Sequence, residues 1–206
     1  MGTEGRVRRL GVMGGTFDPI HNGHLAAASA VLDAFELDRV LFVPAGTPWQ
    51  KAGFSAAEDR WMMTVLAITG NPRFEASRME IDRKGPTYTV DTMAILRDFY
   101  GPDVDLFFVA GVDAVLTIGT WHGVEGLVGL AEVIAVPRAG FDPAALQPRP
   151  EWPRVHLARI AEVDVSSTDI RRMAAAGLPI DGLVPAAVAD YIRDHRLYAA
   201  AGERSA

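Results

Sequence analysis

Short apolar runs alternate along this chain with longer segments of helical spacing, and this alternation limits the folds open to it. The runs 10–13, 40–43, 105–110 and 132–136 are each followed at once by glycine or proline. Apolar runs of this length, bounded by turn residues, predict buried strands. Buried strands that alternate with helices predict a parallel sheet with helices on both faces. We therefore predict an α/β fold whose ligands bind beyond the carboxyl ends of the strands.

Helical spacing and helix-start signals predict the elements that lie between these strands. Ser55 and Glu58 stand three residues apart as a capping box, which predicts a helix that runs through Leu66. Pro185 is suited to the start of a last helix. The remaining predicted elements are helices over 25–35, 91–99 and 167–176 and weaker strands over 73–82 and 154–158.

Composition excludes several classes of protein. None of the 206 residues is cysteine, so a disulfide framework, a thiolate metal site and a cysteine nucleophile are excluded. The net charge of -6 argues against a nucleic-acid partner. Residues 1–9 are unlike a signal peptide, and no window approaches the ~20 apolar residues of a membrane helix. We therefore expect a cytoplasmic protein with no membrane partner, and the choice between monomer and homo-oligomer stays open.

The loop from Gly14 to His24 joins the first predicted strand to the first helix. Gly14 and Gly15 let the backbone approach a ligand closely, and Thr16 adds a hydroxyl donor. His21 and His24 share one side of the first helical turn, where free N–H groups and the helix dipole favour an anion. Two imidazoles there can donate hydrogen bonds to phosphate. The alternatives are a glycine turn with two surface histidines, or a metal site without an obvious third ligand.

A second candidate segment, residues 165–171, opens a helix near the C-terminus with three hydroxyl side chains followed by Arg171. Serine and threonine at such a start are good N-caps, which is one interpretation. Hydroxyl groups and an arginine on the first turn are also suited to binding phosphate.

Two further features indicate a second ligand region. Residues 85–92 predict a turn into a helix, which is either a capped start or a site where N–H groups receive an anion. Trp121 follows the predicted strand 105–110 by a short helical stretch. A tryptophan there belongs to the core or, in a second interpretation, stacks on an aromatic ligand.

The first loop, with His21-Asn22-Gly23-His24, resembles the signature of the HxGH nucleotidyltransferases, and in full it is similar to the nicotinate-nucleotide adenylyltransferases of bacterial NAD synthesis. Residues 165–171 resemble the second motif of that family, with Val165 in place of isoleucine. The resemblance implies a Rossmann-like, doubly wound parallel sheet of the nucleotidyltransferase type with a small C-terminal helical part. It implies a single domain over 1–206, with a core at 8–165, the C-terminal motif and helices at 166–198 and a tail at 199–206.

The resemblance also implies a reaction. AMP passes from ATP to nicotinate mononucleotide by in-line attack of the acceptor phosphate, without a covalent enzyme intermediate. Mg²⁺ bridges the ATP phosphates and takes few ligands from the protein. The residues implied are, for catalysis, His21, His24 and Arg171; for ATP, Gly14, Gly15, Thr16, Phe17, Gly111, Asp113, Arg138, Ser166, Ser167 and Thr168; and for nicotinate mononucleotide, Trp49, Lys51, Thr87, Tyr88, Thr89, Trp121 and His122.

Rival functions share parts of this pattern. The first loop also occurs in pantetheine-phosphate adenylyltransferases and in adenylyltransferases that prefer the nicotinamide nucleotide. Cytidylyltransferases use the same pair of histidines, so the choice of ATP over CTP is a further discriminator. A catalytically inactive nucleotide-binding regulator is the alternative from a different class, and any AMP transfer would exclude it.

Overall fold

The computed structural model describes residues 7–46, 54–138, 140–159 and 165–199. Six strands form one parallel sheet: β1 (Arg9–Gly15), β2 (Arg39–Pro44), β3 (Phe74–Ala76), β4 (Asp105–Gly111), β5 (Glu132–Val136) and β6 (Val155–Leu157). The helices are α1 (Asn22–Ala34), α2 (Ala57–Ile68), α3 (Thr89–Tyr100), α4 (Val112–Val115), α5 (Ser167–Ala175) and α6 (Ala186–Asp194). No helix in these ranges is long and apolar enough to cross a membrane.

The strand order β3-β2-β1-β4-β5-β6 reverses direction in the middle of the sheet. The chain runs outward from β1 through β2 to β3, and then places β4 on the other side of β1. Connections leave such a pair of strands in opposite directions, so a crevice opens beyond their carboxyl ends. The predicted α/β, doubly wound sheet is confirmed, and the crevice lies where the Gly14–His24 loop begins.

Consecutive residues of the central strands enter two separate cores. On one face Met13 of β1 packs with Phe42 and Val109, beneath residues of α1, α2 and α6. On the other face Val12 packs in a cluster that includes Leu41 and residues of α3. Because both faces of the sheet are covered, these strands read as continuous apolar runs.

The predicted capping box at Ser55 and Glu58 is wrong, although the helix that it marks is present. The N-cap of α2 is Ala56, which supplies no side-chain cap. The Ser55 N–H instead donates to the Asp18 carboxylate, and Glu58 pairs with Arg78 at 2.6 Å. Long-range partners therefore take both groups away from the helix start.

The predicted strand over 73–82 is also wrong beyond Ala76. The Ser77 N–H still donates to the Phe42 carbonyl at 2.9 Å, and the chain then turns, with the Asp82 N–H bonded to the Arg78 carbonyl. The Arg78 guanidinium pairs with both Glu58 and Asp82, which fixes this turn against α2. Because β3 lies at the edge of the sheet, β2 is its only neighbour, and no second strand loses its hydrogen-bond partners where β3 ends.

The uncapped start of α2 predicts that Ala56→Ser stabilises the protein. Ala56 is exposed and has extended backbone angles, so a serine there can accept a hydrogen bond from the first turn. We expect the free energy of unfolding in urea to rise by about 1 kcal/mol. No gain, or a loss, would show that residue 56 is not the N-cap.

Candidate active site

A cavity of about 530 Å³ lies in the crevice at the carboxyl ends of β1 and β4. Its walls come from five segments distant in sequence: the loop after β1 with the start of α1, Phe54 before α2, the β4–α4 turn, the end of β5, and the start of α5. The predicted residues that line it are Gly14, Thr16, Phe17, His21, His24, Gly111, Asp113, Arg138, Ser166, Ser167, Thr168 and Arg171. The sheet topology thus brings two separately predicted motifs to one cavity. Its volume falls in the range of about 300–1,000 Å³ typical of ligand sites.

Gly15 is the predicted ATP residue that does not line this cavity. A Cβ atom at Gly15 would lie 3.0 Å from the ring of Phe17, so the glycine gives that ring room to pack. Phe17 is buried, has a positive φ of 50°, and meets the His24 ring edge-on. Gly15 therefore affects the loop through the packing of Phe17 and does not itself line the cavity.

The two histidines of the first loop form a stacked pair. His21 is the N-cap residue of α1, and its ring lies 3.7 Å from that of His24, centroid to centroid. The His21 N–H donates to Nδ1 of His24 at 3.2 Å. Because Nδ1 of His24 is an acceptor, the proton of its neutral ring sits on Nε2. His24 is thereby set up to donate one hydrogen bond from Nε2.

Burial keeps both imidazoles neutral near pH 7. It lowers the pKa of His21 to about 4. Burial, and secondarily the neighbouring His21, lowers the pKa of His24 well below its usual range. A positive charge on one ring would repel a positive charge on the other, so both rings are neutral in the free protein and each has one N–H with which it can donate.

The start of α5 serves the helix as well as the cavity. Ser166 is the N-cap, accepting from the Asp169 N–H at 3.1 Å, so the capping interpretation is confirmed for this residue. The Ser167 hydroxyl donates to the Pro19 carbonyl at 2.9 Å, which ties α5 to the first loop. Since a hydroxyl has one proton, Ser167 can offer a phosphate its backbone N–H while this bond lasts.

Arg171 lies across the first loop. Its Nη1 donates to the Asp18 carbonyl at 2.7 Å, and Nη2 donates to the Thr168 hydroxyl at 3.3 Å. The guanidinium thus borders the cavity between the two motifs, where an anion would meet it beside the N-terminus of α5.

Asp113 and Arg138 form an exposed ion pair at the cavity rim. The Arg138 Nε lies 2.8 Å from a carboxylate oxygen of Asp113. The sequence analysis listed both residues for ATP, but they stand 25 residues apart and nothing in the sequence indicated that they meet. Their ion pair joins the segments that follow β4 and β5 at the rim of the cavity.

A second cavity of about 200 Å³ adjoins the first and shares Gly14, Ala110 and Ala114 with it. Five residues predicted for the acceptor line this smaller cavity: Thr87, Tyr88, Thr89, Trp121 and His122. Trp49 and Lys51, also predicted for the acceptor, lie outside the described residues.

Aromatic contacts fix the wall of the smaller cavity. The rings of Tyr88 and His122 stack at 4.1 Å, and Trp121 meets Phe108 edge-on at 5.7 Å. The predicted short helical stretch before Trp121 is confirmed as α4 and a single turn at Ile118–Thr120. Trp121 thus both packs against the core and lines the cavity, so the two interpretations of this residue hold together.

A buried carboxylate supports the acceptor wall from behind. The Thr92 hydroxyl donates to Glu80 at 2.6 Å, and burial raises the pKa of Glu80. Thr87, also buried, hydrogen-bonds to the same carboxylate. Sequence reasoning missed Glu80, since its partners follow it by seven and twelve residues around a turn.

Sequence reasoning also missed a cluster beneath the first loop, composed of the buried Asp18 and Arg60 and the half-buried Tyr198. The Tyr198 hydroxyl donates to the Asp18 carboxylate at 2.7 Å, and Arg60 donates to the Thr16 carbonyl at 3.0 Å. One signal was available: Arg60 shares the buried face of α2 with Met63, where a charged residue is unusual.

No group of three or more histidine, aspartate or glutamate side chains converges as metal ligands within the ranges the structure covers. The stacked histidines gain no third protein ligand there.

The geometry defines a class of protein, an α/β nucleotide-binding fold of the nucleotidyltransferase type. Residues 12–173 match the family model described as cytidylyltransferase-like. The fold is similar to that of Plasmodium falciparum nicotinic acid mononucleotide adenylyltransferase complexed with NaAD, with a TM-score of 0.78 and 20% identity over 93% of this chain and 97% of that one.

Closer relatives narrow the class. A Corynebacterium kroppenstedtii protein is 48% identical over 98% of this chain and 97% of its own length, and a Saccharopolyspora erythraea protein is 50% identical over 94% and 91%. Both carry the name "Probable nicotinate-nucleotide adenylyltransferase". This chain belongs to the nicotinate-nucleotide adenylyltransferase family.

The lowered pKa of His21 predicts that this residue makes the protein less stable in acid. Below pH 6.5 the unfolded chain takes up a proton on this ring that the folded protein excludes until about pH 4, so stability falls with pH in that window. We expect the free energy of unfolding, relative to His21→Asn, to drop by about 2 kcal/mol between pH 7.5 and 4.5. His195→Asn, at an exposed histidine, is the control. Parallel pH curves for the unaltered protein and His21→Asn would contradict the burial of this ring.

Proposed function

We propose that this protein transfers AMP from ATP to nicotinate mononucleotide, giving nicotinate adenine dinucleotide (deamido-NAD) and pyrophosphate by direct in-line attack. The observation that carries the proposal is the pair of adjoining cavities that share Gly14, Ala110 and Ala114. The larger is lined by groups that could donate hydrogen bonds to phosphate, and the smaller includes aromatic side chains. Two substrates bound side by side would meet at the first loop. The names of the relatives support the choice of substrates.

ATP would occupy the larger cavity with its triphosphate between the first loop and α5. Donors converge on that space from three sources: Nε2 of His24, the loop N–H groups, and the N-terminus of α5. Arg171 borders the same space and would hold the β- and γ-phosphates. Asp113 and Arg138 at the rim would contact the ribose and adenine.

Nicotinate mononucleotide would place its ring in the smaller cavity. An apolar cavity of about 150 Å³ accommodates one benzene ring, so about 200 Å³ is sufficient for a pyridine ring. Trp121 and the stacked Tyr88 and His122 supply aromatic surface for it. The ring carboxylate would meet the N–H groups of Thr89 and its neighbours at the start of α3, where the dipole favours negative charge. Trp49 and Lys51 complete the proposed acceptor contacts, with Lys51 pairing with the phosphate.

The chemistry then needs positioning more than proton transfer. A phosphate monoester has a second pKa near 6, so at pH 7 the acceptor is already a dianionic nucleophile. One of its oxygens bonds to the α-phosphorus as the bond to the pyrophosphate oxygen breaks, and the pyrophosphate leaves with the electron pair. His24 would stabilise the charge that develops on the α-phosphate, assisted by His21 and Thr16. The protein itself forms no covalent bond.

Mg²⁺ supplied with ATP would offset the negative charge of the phosphates and so reduce the repulsion between two anionic substrates. The groups proposed to surround the triphosphate, His24, Arg171 and the N-terminus of α5, are hydrogen-bond donors and not metal ligands, so phosphate oxygens and water would supply most of the ligands of the ion.

The substrate assignment predicts the outcome of a pyrophosphate-release assay. With MgATP we expect turnover with nicotinate mononucleotide to exceed that with its amide analogue or phosphopantetheine at least tenfold in kcat/KM, because α3 offers N–H donors to a carboxylate. With CTP in place of ATP, we expect far less release of pyrophosphate. Preference for another acceptor would contradict the proposed acceptor site but not the proposed transfer of AMP. No turnover in a folded sample that binds ATP would indicate a regulator.

The role of His24 predicts that His24→Ala lowers kcat by at least ~100-fold, the usual effect of losing one preorganised donor to a transition state. The effect is read from steady-state kinetics, with thermal unfolding as the check on the fold. His195→Ala, at an exposed histidine of the C-terminal region, is the matched control and should keep kcat. A loss under tenfold in well-folded His24→Ala would remove His24 from the mechanism.

A further inference from the structure

Arg60 is a buried cation that belongs to neither of the two motifs. Its side chain is 2% exposed, on the face of α2 that also carries Met63 and Thr64. A guanidinium is costly to bury unless its donors are satisfied. Those of Arg60 are satisfied by main-chain oxygens, the carbonyls of Thr16, Ala45, Gly46 and Ser55.

One of these bonds acts on the first loop itself. Nη1 of Arg60 donates to the Thr16 carbonyl at 3.0 Å. In a trans peptide the C=O and the following N–H point in opposite directions, so a carbonyl held by Arg60 turns the Phe17 N–H the other way. Thr16 and Phe17 both line the larger cavity. The Phe17 N–H has no acceptor among the residues that the structure describes.

This loop conformation needs a restraint. Phe17 has a φ of 50°, in the left-handed region that bulky residues rarely adopt. Such a conformation persists where surrounding contacts hold it. Arg60 provides one contact through Thr16, and the next residue, Asp18, provides others through its carboxylate, which accepts from Tyr198 and from the Ser55 N–H.

The charges beneath the loop offset one another. Burial lowers the pKa of Arg60, and the neighbouring Asp18 carboxylate raises it again. Asp18 is 2% exposed, so the two opposite charges lie together away from water. The cluster can therefore hold the loop without needing the negative charge of a bound phosphate to offset Arg60.

We propose that Arg60 is a positioning residue for AMP transfer: its guanidinium holds the Thr16–Phe17 peptide so that the Phe17 N–H donates to a phosphate of ATP. The inference rests on the proposed function, which it extends from the residues that touch substrate to one that does not. Arg60 would act on kcat, because it keeps the Phe17 N–H in its donating orientation before the substrates bind. Preorganised donors of this kind lower the barrier of the chemical step.

The chain offers a matched control for this role. Arg97 of α3 also donates to main-chain carbonyls, those of Gly101, Pro102, Val104 and Leu130. These residues precede β4 and β5, at the amino ends of the strands, whereas both cavities lie towards the carboxyl ends. Lysine keeps the charge at either position but lacks the planar fork of donors, so Arg60→Lys and Arg97→Lys each disrupt four hydrogen bonds to main-chain carbonyls.

We expect Arg60→Lys to lower kcat for AMP transfer to nicotinate mononucleotide by about tenfold or more, with KM for the acceptor within about twofold. Arg97→Lys should keep both constants within about twofold, even where thermal unfolding shows similar destabilisation. Equal kcat losses in the two folded variants would overturn the proposal and leave Arg60 as a stabilising residue. Absence of AMP transfer by the unaltered protein would instead refute the proposed function.

A second measurement needs no variant. In protein labelled with ¹⁵N at its 9 phenylalanines, the amide proton of Phe17 should move downfield when a non-hydrolysable ATP analogue and Mg²⁺ are added. The shift should exceed that of phenylalanine amides outside the cavity. An unchanged Phe17 amide at saturating analogue would contradict the proposal, whether or not Arg60→Lys folds.

Discussion

The site depends on how the carbonyl groups of the first loop are engaged. Thr16, Asp18 and Pro19 each have a carbonyl bonded to a side chain from another element, respectively Arg60, Arg171 and the Ser167 hydroxyl. A loop that binds phosphate must direct N–H groups at the ligand, so its carbonyls need partners elsewhere. Here α2 and α5 supply those partners. The loop is consequently preorganised by parts of the chain that lie tens to about 150 residues away.

The two histidines of the first loop, His21 and His24, are also preorganised. Their low pKa values leave them neutral, and the bond from the His21 N–H to Nδ1 of His24 fixes which nitrogen of His24 donates. A neutral donor held in one orientation stabilises developing charge without reorganising during the reaction. Beneath the loop, the charge of the Asp18 carboxylate likewise favours the charged form of Arg60, against the effect of burial.

Local patterns predicted the sheet and both motifs because each depends on neighbours in sequence. The runs that became β1, β2, β4 and β5 were readable since both faces of those strands are buried. Predictions went wrong where a distant partner competed, as when Asp18 and Arg78 took the groups expected to cap α2. The bonds from Arg60 to Thr16 and from Tyr198 to Asp18 could not be read from spacing, because only the folded chain brings these residues together. The domain limits and the individual ligand contacts stay predictions.

The central claim is that ATP and its acceptor meet at the first loop. A crystal structure with a non-hydrolysable ATP analogue, Mg²⁺ and nicotinate mononucleotide tests it most directly. The account predicts Nε2 of His24 within hydrogen-bond distance of the α-phosphate, the nicotinate ring beside Trp121, and the acceptor phosphate in line with the bond to pyrophosphate. An α-phosphate remote from His24, or an adenine ring in the smaller cavity, would contradict it.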